Sequence, residues 1–176
     1  PLFRPGQSIL DIGCGDGADA LHLQLKGVSV YGIDASANMV GIAQARGIRA
    51  RHLSIEELDQ LPASFYGALS NLGALNCVSS LEPVAAALAQ RVRAGEYVAL
   101  CFINSFCIWE SCYYFLRGQF RRAFRRLRPQ VRSSLGIDIF YFSRRAILSD
   151  FHRDFRLHGT YGIGLVDPPS YVTGLG

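Results

Sequence analysis

The run Ile9-Leu-Asp-Ile-Gly-Cys-Gly-Asp-Gly17 carries the most specific chemistry in the chain. A short apolar stretch feeds three glycines spaced by single residues, and a helical pattern follows. Glycines so placed let the main chain approach a ligand where a Cβ would collide, and the helix N-terminus behind them favours polar or anionic groups. About 20 residues on, a second apolar run ends in Asp34, where a carboxylate can accept hydrogen bonds from both hydroxyls of a ribose. A lone Gly-x-Gly is often only a tight turn; here strand, helix and acidic strand end agree on a nucleoside-bearing ligand. Two classes of nucleotide fit. Gly13-x-Gly15-x-x-Ala18 satisfies the dinucleotide fingerprint of an oxidoreductase, whereas Asp11, just before the first glycine, sits badly with a pyrophosphate and well with an ammonium group.

The remaining reactive side chains are more dispersed. His22, His52, His152 and His158 lie far apart, and none is read as catalytic. The five cysteines (Cys14, Cys77, Cys101, Cys107, Cys112) form an odd set without a C-x-x-C pair, which favours a reducing, cytoplasmic setting and disfavours zinc. Lys26 is the only lysine, so the other 17 basic residues are arginines, and seven of them (Arg117, Arg121, Arg122, Arg125, Arg126, Arg128, Arg132) fall between 117 and 132. With Phe120, Phe124 and Leu127 at three- and four-residue spacing they make an amphipathic basic helix, suited to phosphate, a membrane surface or an acidic small molecule. The reading preferred over these is a solvated face whose aromatic side packs on the domain. A net charge of only +4 and the lack of any RNA-module motif argue against nucleic acid. Asp167-Pro-Pro-Ser-Tyr171 reads as a rigid turn.

The elements that must hold the glycine turn follow from periodicity. Strand-length runs occur at Ser8–Ile12, Val28–Ile33, Ile48–Leu53, Tyr66–Ser70 and Tyr97–Ile103, several of them apolar on both faces as central parallel strands are. Between them Ala18, Leu21 and Leu25, then Val84, Leu88 and Val92, recur at helical spacing; Ser36 can cap a helix over Ala37–Arg46, and Gly27, Gly47 and Gly95 are placed to stop helices. The alternation implies an α/β fold with a doubly wound, mostly parallel sheet. From Ser105 to Phe142 the rhythm breaks into an insertion, with helices expected at Trp109–Arg117 and Gln119–Leu127 and a strand at Gly136–Phe142. A helix after Ser143 and a strand over Phe155–Val166 then resume the sheet. At 176 residues, 49% of them apolar, the chain suits one domain burying roughly 70% of its unfolded surface. Charged residues make up 18%, mean hydropathy is +0.17, and the longest strictly apolar run, Tyr97–Ile103, is far short of the roughly 18 residues of a membrane span.

These motifs together resemble the class I S-adenosylmethionine-dependent methyltransferases, over Ser8 to about Ile103. The resemblance implies a Rossmann-like fold, S-adenosyl-L-methionine as cofactor and a glycine turn (Gly13, Cys14, Gly15, Gly17, with Asp11 ahead of it) around the methionine moiety. Asp34 would bind the ribose diol. Asp34-Ala-Ser-Ala-Asn-Met39 is similar to the family's D-x-S-x-x-M, which puts Ala35 and Met39 by the adenine. Ser54, where the family more often has Asp, and Ile55 match the residues at the adenine edge. Leu69-Ser-Asn-Leu-Gly-Ala-Leu-Asn76 resembles the segment beneath the transferred methyl, with Asn71 nearest the sulfonium; the D/N-P-P-Y/F of the N-methylating DNA and protein branches is missing there. In this family extra segments between the fifth and sixth strands cover the substrate. Residues 105–142 are therefore expected to form a lid over a small-molecule acceptor, with Trp109, Tyr113, Tyr114 and Phe115 excluding water and Glu110, Tyr113 or Tyr114 orienting or deprotonating it. The family usually adds a seventh strand, so the chain, which starts at Pro1 and stops at Gly176, is expected to be truncated, with an apolar sheet edge disposed to self-association.

Overall fold

The alternating rhythm becomes a parallel sheet in a computed structural model, which describes residues 2–62, 64–103, 108–124, 130–133 and 136–162. Strands β1 (Ser8–Ile12), β2 (Ser29–Asp34), β3 (Arg49–His52), β4 (Phe65–Ser70) and β5 (Val92–Leu100) stand in the order β3-β2-β1-β4-β5. β1 is central, pairing Ile9 with Val30 on one side and Leu10 with Ala68 on the other. Its Ile9, Leu10 and Ile12 are wholly buried because each face of the sheet is covered. On one face Ile9, Val28 and Val30 pack with Ala20, Ala43 and Ile48 under α1 (Ala18–Gln24) and α2 (Ala37–Ala45). On the other, Leu10, Ile12 and Ile33 pack with Leu58, Leu75, Leu88 and Phe151, beneath α3 (Glu82–Arg91) and a later helix, Arg144–Phe151.

Two helical expectations change. The Ala18-Leu21-Leu25 stripe points outward, Leu25 being 81% exposed, because α1 rests on the small side chain of Ala20 with Leu23 beside it. Val84 and Leu88 are buried in α3 as spaced, but Val92 opens β5, which begins five residues before the expected Tyr97. Gly95 does not stop a helix. It sits inside β5 at φ +84°, where the pairing slips from Phe65–Val92 to Gly67–Tyr97; a left-handed glycine lets a strand absorb such a bulge.

Within the insertion α4 (Ile108–Leu116) and α5 (Phe120–Ala123) pack chiefly on each other, and β6 (Gln130–Arg132) pairs antiparallel with β7 (Asp138–Phe140). β6 has no counterpart in the sequence reading, since three residues with arginine at one end carry no alternation. Of the helix expected over Gln119–Leu127, Phe120–Ala123 is helical and 125–127 lie outside the described residues. Ser143 caps α6 (Arg144–Phe151), its hydroxyl accepting from the Ala146 amide. Residues 155–162 form no strand: Phe155 turns back on Phe151, His158 meets the Tyr97 ring, and Arg156, Gly159 and Gly162 break the alternation. The rest of that expected strand and the Asp167–Tyr171 turn lie outside the described residues. No helix among the described residues is long and apolar enough to cross a membrane.

Candidate functional site

β1 and β2 deliver their carboxyl ends side by side, and the amides of Gly13 and Cys14 both donate to the Ile33 carbonyl at 2.9 Å. Gly13, Gly15 and Gly17 all have positive φ, yet they are glycines for different reasons. A Cβ on Gly13 would lie 2.3 Å from the Ala74 Cβ, and one on Gly17 would meet Ile48 and Ala43. Only at Gly15 is there nothing within 4 Å. Gly13 and Gly17 thus have a packing reason to be glycine besides the expected one, and Gly15 faces open space.

The Asp34 carboxylate spans the turn. One oxygen accepts from the Gly15 amide at 2.9 Å and the other from the Ser36 amide at 2.8 Å. A carboxylate offers about four lone-pair sites, so both oxygens keep capacity for a further donor. Behind it Asp11 is 2% exposed, and its Oδ2 is the one buried side-chain oxygen or nitrogen without a partner among the described residues. Burial, then the charges of Asp19 and Asp34, push the Asp11 carboxyl up from 3.8 to about 7. An unpaired carboxylate oxygen with two further acids beside it suits a cation. Cys14 contributes main chain only: its side chain is buried against Gly32, and burial foremost, then Asp11 and Asp34, push its thiol up to about 12.

The site residues that follow β2, β3 and β4 lie along the same edge of the sheet. Asn71, just past β4, donates from Nδ2 to Asp19 Oδ2 at 2.9 Å and accepts the Leu72 amide on Oδ1, holding Leu72 at φ +53°. Ser70 Oγ donates to the Ile12 carbonyl, locking β4 to β1 at the turn. Met39 lies in the first turn of α2, 39% exposed, and the Ser36 hydroxyl that caps this helix accepts its amide. Ala35 offers its carbonyl to His52 Nε2 at 3.0 Å. Ser54 and Ile55 follow β3, and the Ser54 amide donates to Glu57, holding that carboxyl below its usual range. Tyr113 and Tyr114 sit edge to face on α4, and Arg117 covers the Tyr113 ring at 4.5 Å; the side chains of Trp109 and Glu110 lie outside the described residues.

Two contributors escape a reading by motif. Asp19 could have been noticed as an acid in the first turn of α1, where the helix dipole favours it. Asn76 has no such signal. It is fully buried, accepts the Ile103 amide at 2.8 Å, and donates to the Ile103 and Phe140 carbonyls, so it ties the end of β5 and the insertion's β7 to the β4 side of the site. A cavity of about 540 Å³ opens elsewhere: Ser8, Ser29, Arg49 and Phe65 line it, at the amino ends of the strands.

Residues 9–95 match the family model of a methyltransferase domain. Over these residues the chain belongs to the class I S-adenosylmethionine-dependent methyltransferases. It is 33% identical over 106 residues to a ubiquinone biosynthesis O-methyltransferase of Dechloromonas aromatica, a match covering 56% of this chain and 45% of that one. It is also 35% identical over 100 residues to a ribosomal protein L11 methyltransferase of Cupriavidus necator, covering 56% and 32%. The chain thus spans less than half the length of these curated relatives. Among solved structures, an S-adenosylmethionine-dependent methyltransferase of Methanosarcina mazei superposes with a TM-score of 0.67 at 19% identity, over 86% of this chain and 80% of that one, and so shares the fold. The family's cofactor, S-adenosylmethionine, carries an ammonium and a ribose diol, and the residues present fit it: the orphaned Asp11 oxygen suits the cation, the open face of Gly15 admits a ligand, and Asp34 retains acceptor capacity.

Proposed function

We propose that this chain transfers a methyl group from S-adenosylmethionine to a small-molecule acceptor. The observation that carries the reading is the buried, unpartnered Asp11 oxygen, flanked by Asp19 and Asp34 and lying behind the open Gly15. A cation there relieves a burial cost that nothing else in the described residues relieves. Asp11, Gly13, Cys14, Gly15 and Gly17 hold the methionine end, Asp34 the ribose diol, Ala35, Met39, Ser54 and Ile55 the adenine, and Asn71 stands at the reacting end, oriented by Asp19. When bound, the cofactor supplies an electrophilic methyl on a sulfonium that leaves as a neutral thioether. Alignment and exclusion of water then supply most of the acceleration. Glu110, Tyr113 and Tyr114 on α4 are the candidates for orienting or deprotonating the acceptor, and residues 105–142 form its lid within one methyltransferase-like domain. Relatives named O-methyltransferases favour oxygen as the attacked atom.

The dinucleotide reading rests on Gly13-x-Gly15-x-x-Ala18 alone and is not favoured, since the matches are to methyltransferases. Titration calorimetry with S-adenosylmethionine, S-adenosylhomocysteine and NAD tests both; heat with NAD alone overturns the proposal. Asp34→Ala is expected to weaken cofactor binding by about 1.5–3 kcal/mol for each hydrogen bond lost, before water compensates. It also strands the Gly15 and Ser36 amides, so its melting temperature falls too. The four described cysteines are free thiols, which supports a cytoplasmic location. Self-association through the outer edge of β5, which has no strand neighbour among the described residues, completes the proposal; a strictly monomeric species in light scattering at high concentration removes that part.

A further inference from the structure

The sequence pattern favoured a basic helix whose aromatic side packs inward, and the structure shows a different arrangement. At the corner where α4 turns into α5, Phe115, Phe120 and Phe124 pack on one another, with ring centroids 5.2 and 6.4 Å from Phe115, and remain 52%, 55% and 46% exposed. Leu116 beside them is 85% exposed. Gly118, at φ +68°, makes the turn that brings these side chains together. Arg117 and Arg121 flank the apolar corner, both exposed.

Charge is concentrated in the same segment. Residues 105–142 hold seven arginines against Glu110 and Asp138, more than the whole chain's net +4. The remainder, with 11 basic and 12 acidic residues, is slightly negative. An apolar corner flanked by Arg117 and Arg121, in a segment whose sequence carries the chain's excess of positive charge, suits anionic lipid, where apolar side chains enter the acyl boundary while arginines meet the headgroups. Single-stranded RNA also recruits arginine and aromatic rings, but it uses ring faces as stacking platforms. Here the rings meet edge to face with one another, and the most exposed apolar group, Leu116, has no π face to offer.

We propose that the α4–α5 corner of this chain docks on anionic phospholipid surfaces, with Leu116 and Phe120 as the inserting groups and Arg117 and Arg121 as headgroup contacts. The docking is peripheral and stands apart from the methyl-transfer reading.

The test is co-sedimentation of the full chain with vesicles of mixed phosphatidylcholine and phosphatidylglycerol, and with phosphatidylcholine alone. Binding is expected to the anionic vesicles only, and to weaken with added salt. Arg121→Gln lowers the partition about fivefold, as one headgroup arginine contributes. Leu116→Asp, at a position too exposed to disturb folding, lowers it further while melting temperature and S-adenosylhomocysteine binding stay as in the parent, and Leu116→Asp with Phe120→Asp, which also gives up the ring contact to Phe115, abolishes it. The proposal is overturned if anionic vesicles fail to bind, if pure phosphatidylcholine binds equally well, or if the double variant binds as the parent does. It is also overturned if homopolymeric RNA displaces the vesicles, or if Leu116→Asp dissolves a dimer that shows no affinity for lipid. Cofactor binding is read separately, so loss of lipid binding alone leaves the methyltransferase proposal standing.

Discussion

The sheet-borne half of the molecule and the insertion after β5 are built on different principles. In the first, main chain does most of the holding: Asp34 is fixed by two amides and the glycine turn by the Ile33 carbonyl, with the Asp19 side chain holding Asn71. In the second, side chains hold side chains, with Phe115, Phe120 and Phe124 packed together and Arg117 over Tyr113. The relatives divide along the same line. A protein named for ubiquinone biosynthesis and one named for ribosomal protein L11 each match about the same share of this chain, and the family model ends at residue 95, before the insertion begins. A cofactor half can serve many acceptors when the part that meets the acceptor is grafted on as a unit with its own small core.

That contrast can be broken most forcefully at Gly13. Gly13→Ala drives a methyl into Ala74 at a left-handed position, so a loss of about 3 kcal/mol is expected in denaturant unfolding, whereas Gly15→Ala, with open space around it, loses only about 1 kcal/mol and shows its main effect in cofactor affinity. Equal losses at the two positions would mean that the turn is not divided between packing and binding. Asp11 gives the next largest effect, of opposite sign. Its carboxyl is raised, so the folded state holds the proton more tightly than the unfolded state, and ligand-free stability is expected to fall as pH rises from about 4 to 7 and then level off. Asp11→Asn removes that slope and stabilises the free protein at pH 8 by about 3 kcal/mol while weakening S-adenosylmethionine binding; thermal melts with and without cofactor read both. The link between the two halves is Asn76. Asn76→Ala leaves the part-buried Ile103 amide and the Ile103 and Phe140 carbonyls without their partner, with an expected loss of about 2 kcal/mol, and protection from hydrogen exchange should fall at the Ile103 amide.

What could be read from the letters depends on how far apart the cooperating residues lie. The glycine turn, Asp34, the Ser36 cap and four of the five strands are local features, each declared within a few residues by glycine spacing, an acidic strand end or a capping hydroxyl. Asn76, 64 positions from Phe140, announces nothing, because its value comes from a carbonyl that the topology brings to it. The stripe on α1 misled for a related reason: helical spacing locates a face, and only packing decides whether that face or the one carrying Ala20 meets the sheet. Likewise Val92 fits the α3 stripe by letter count, but its pairing with Phe65 claims it for β5. The amphipathic arginine segment was visible as a pattern, while its exposed apolar corner was not, since periodicity cannot say that three phenylalanines will satisfy one another.

The hydrogen bond from the Gly15 amide to Asp34 ties together two stretches that are far apart along the chain. Because the same carboxylate also accepts the Ser36 amide, the turn after β1 and the start of α2 are set as one piece, and a change at Asp34 is felt at both.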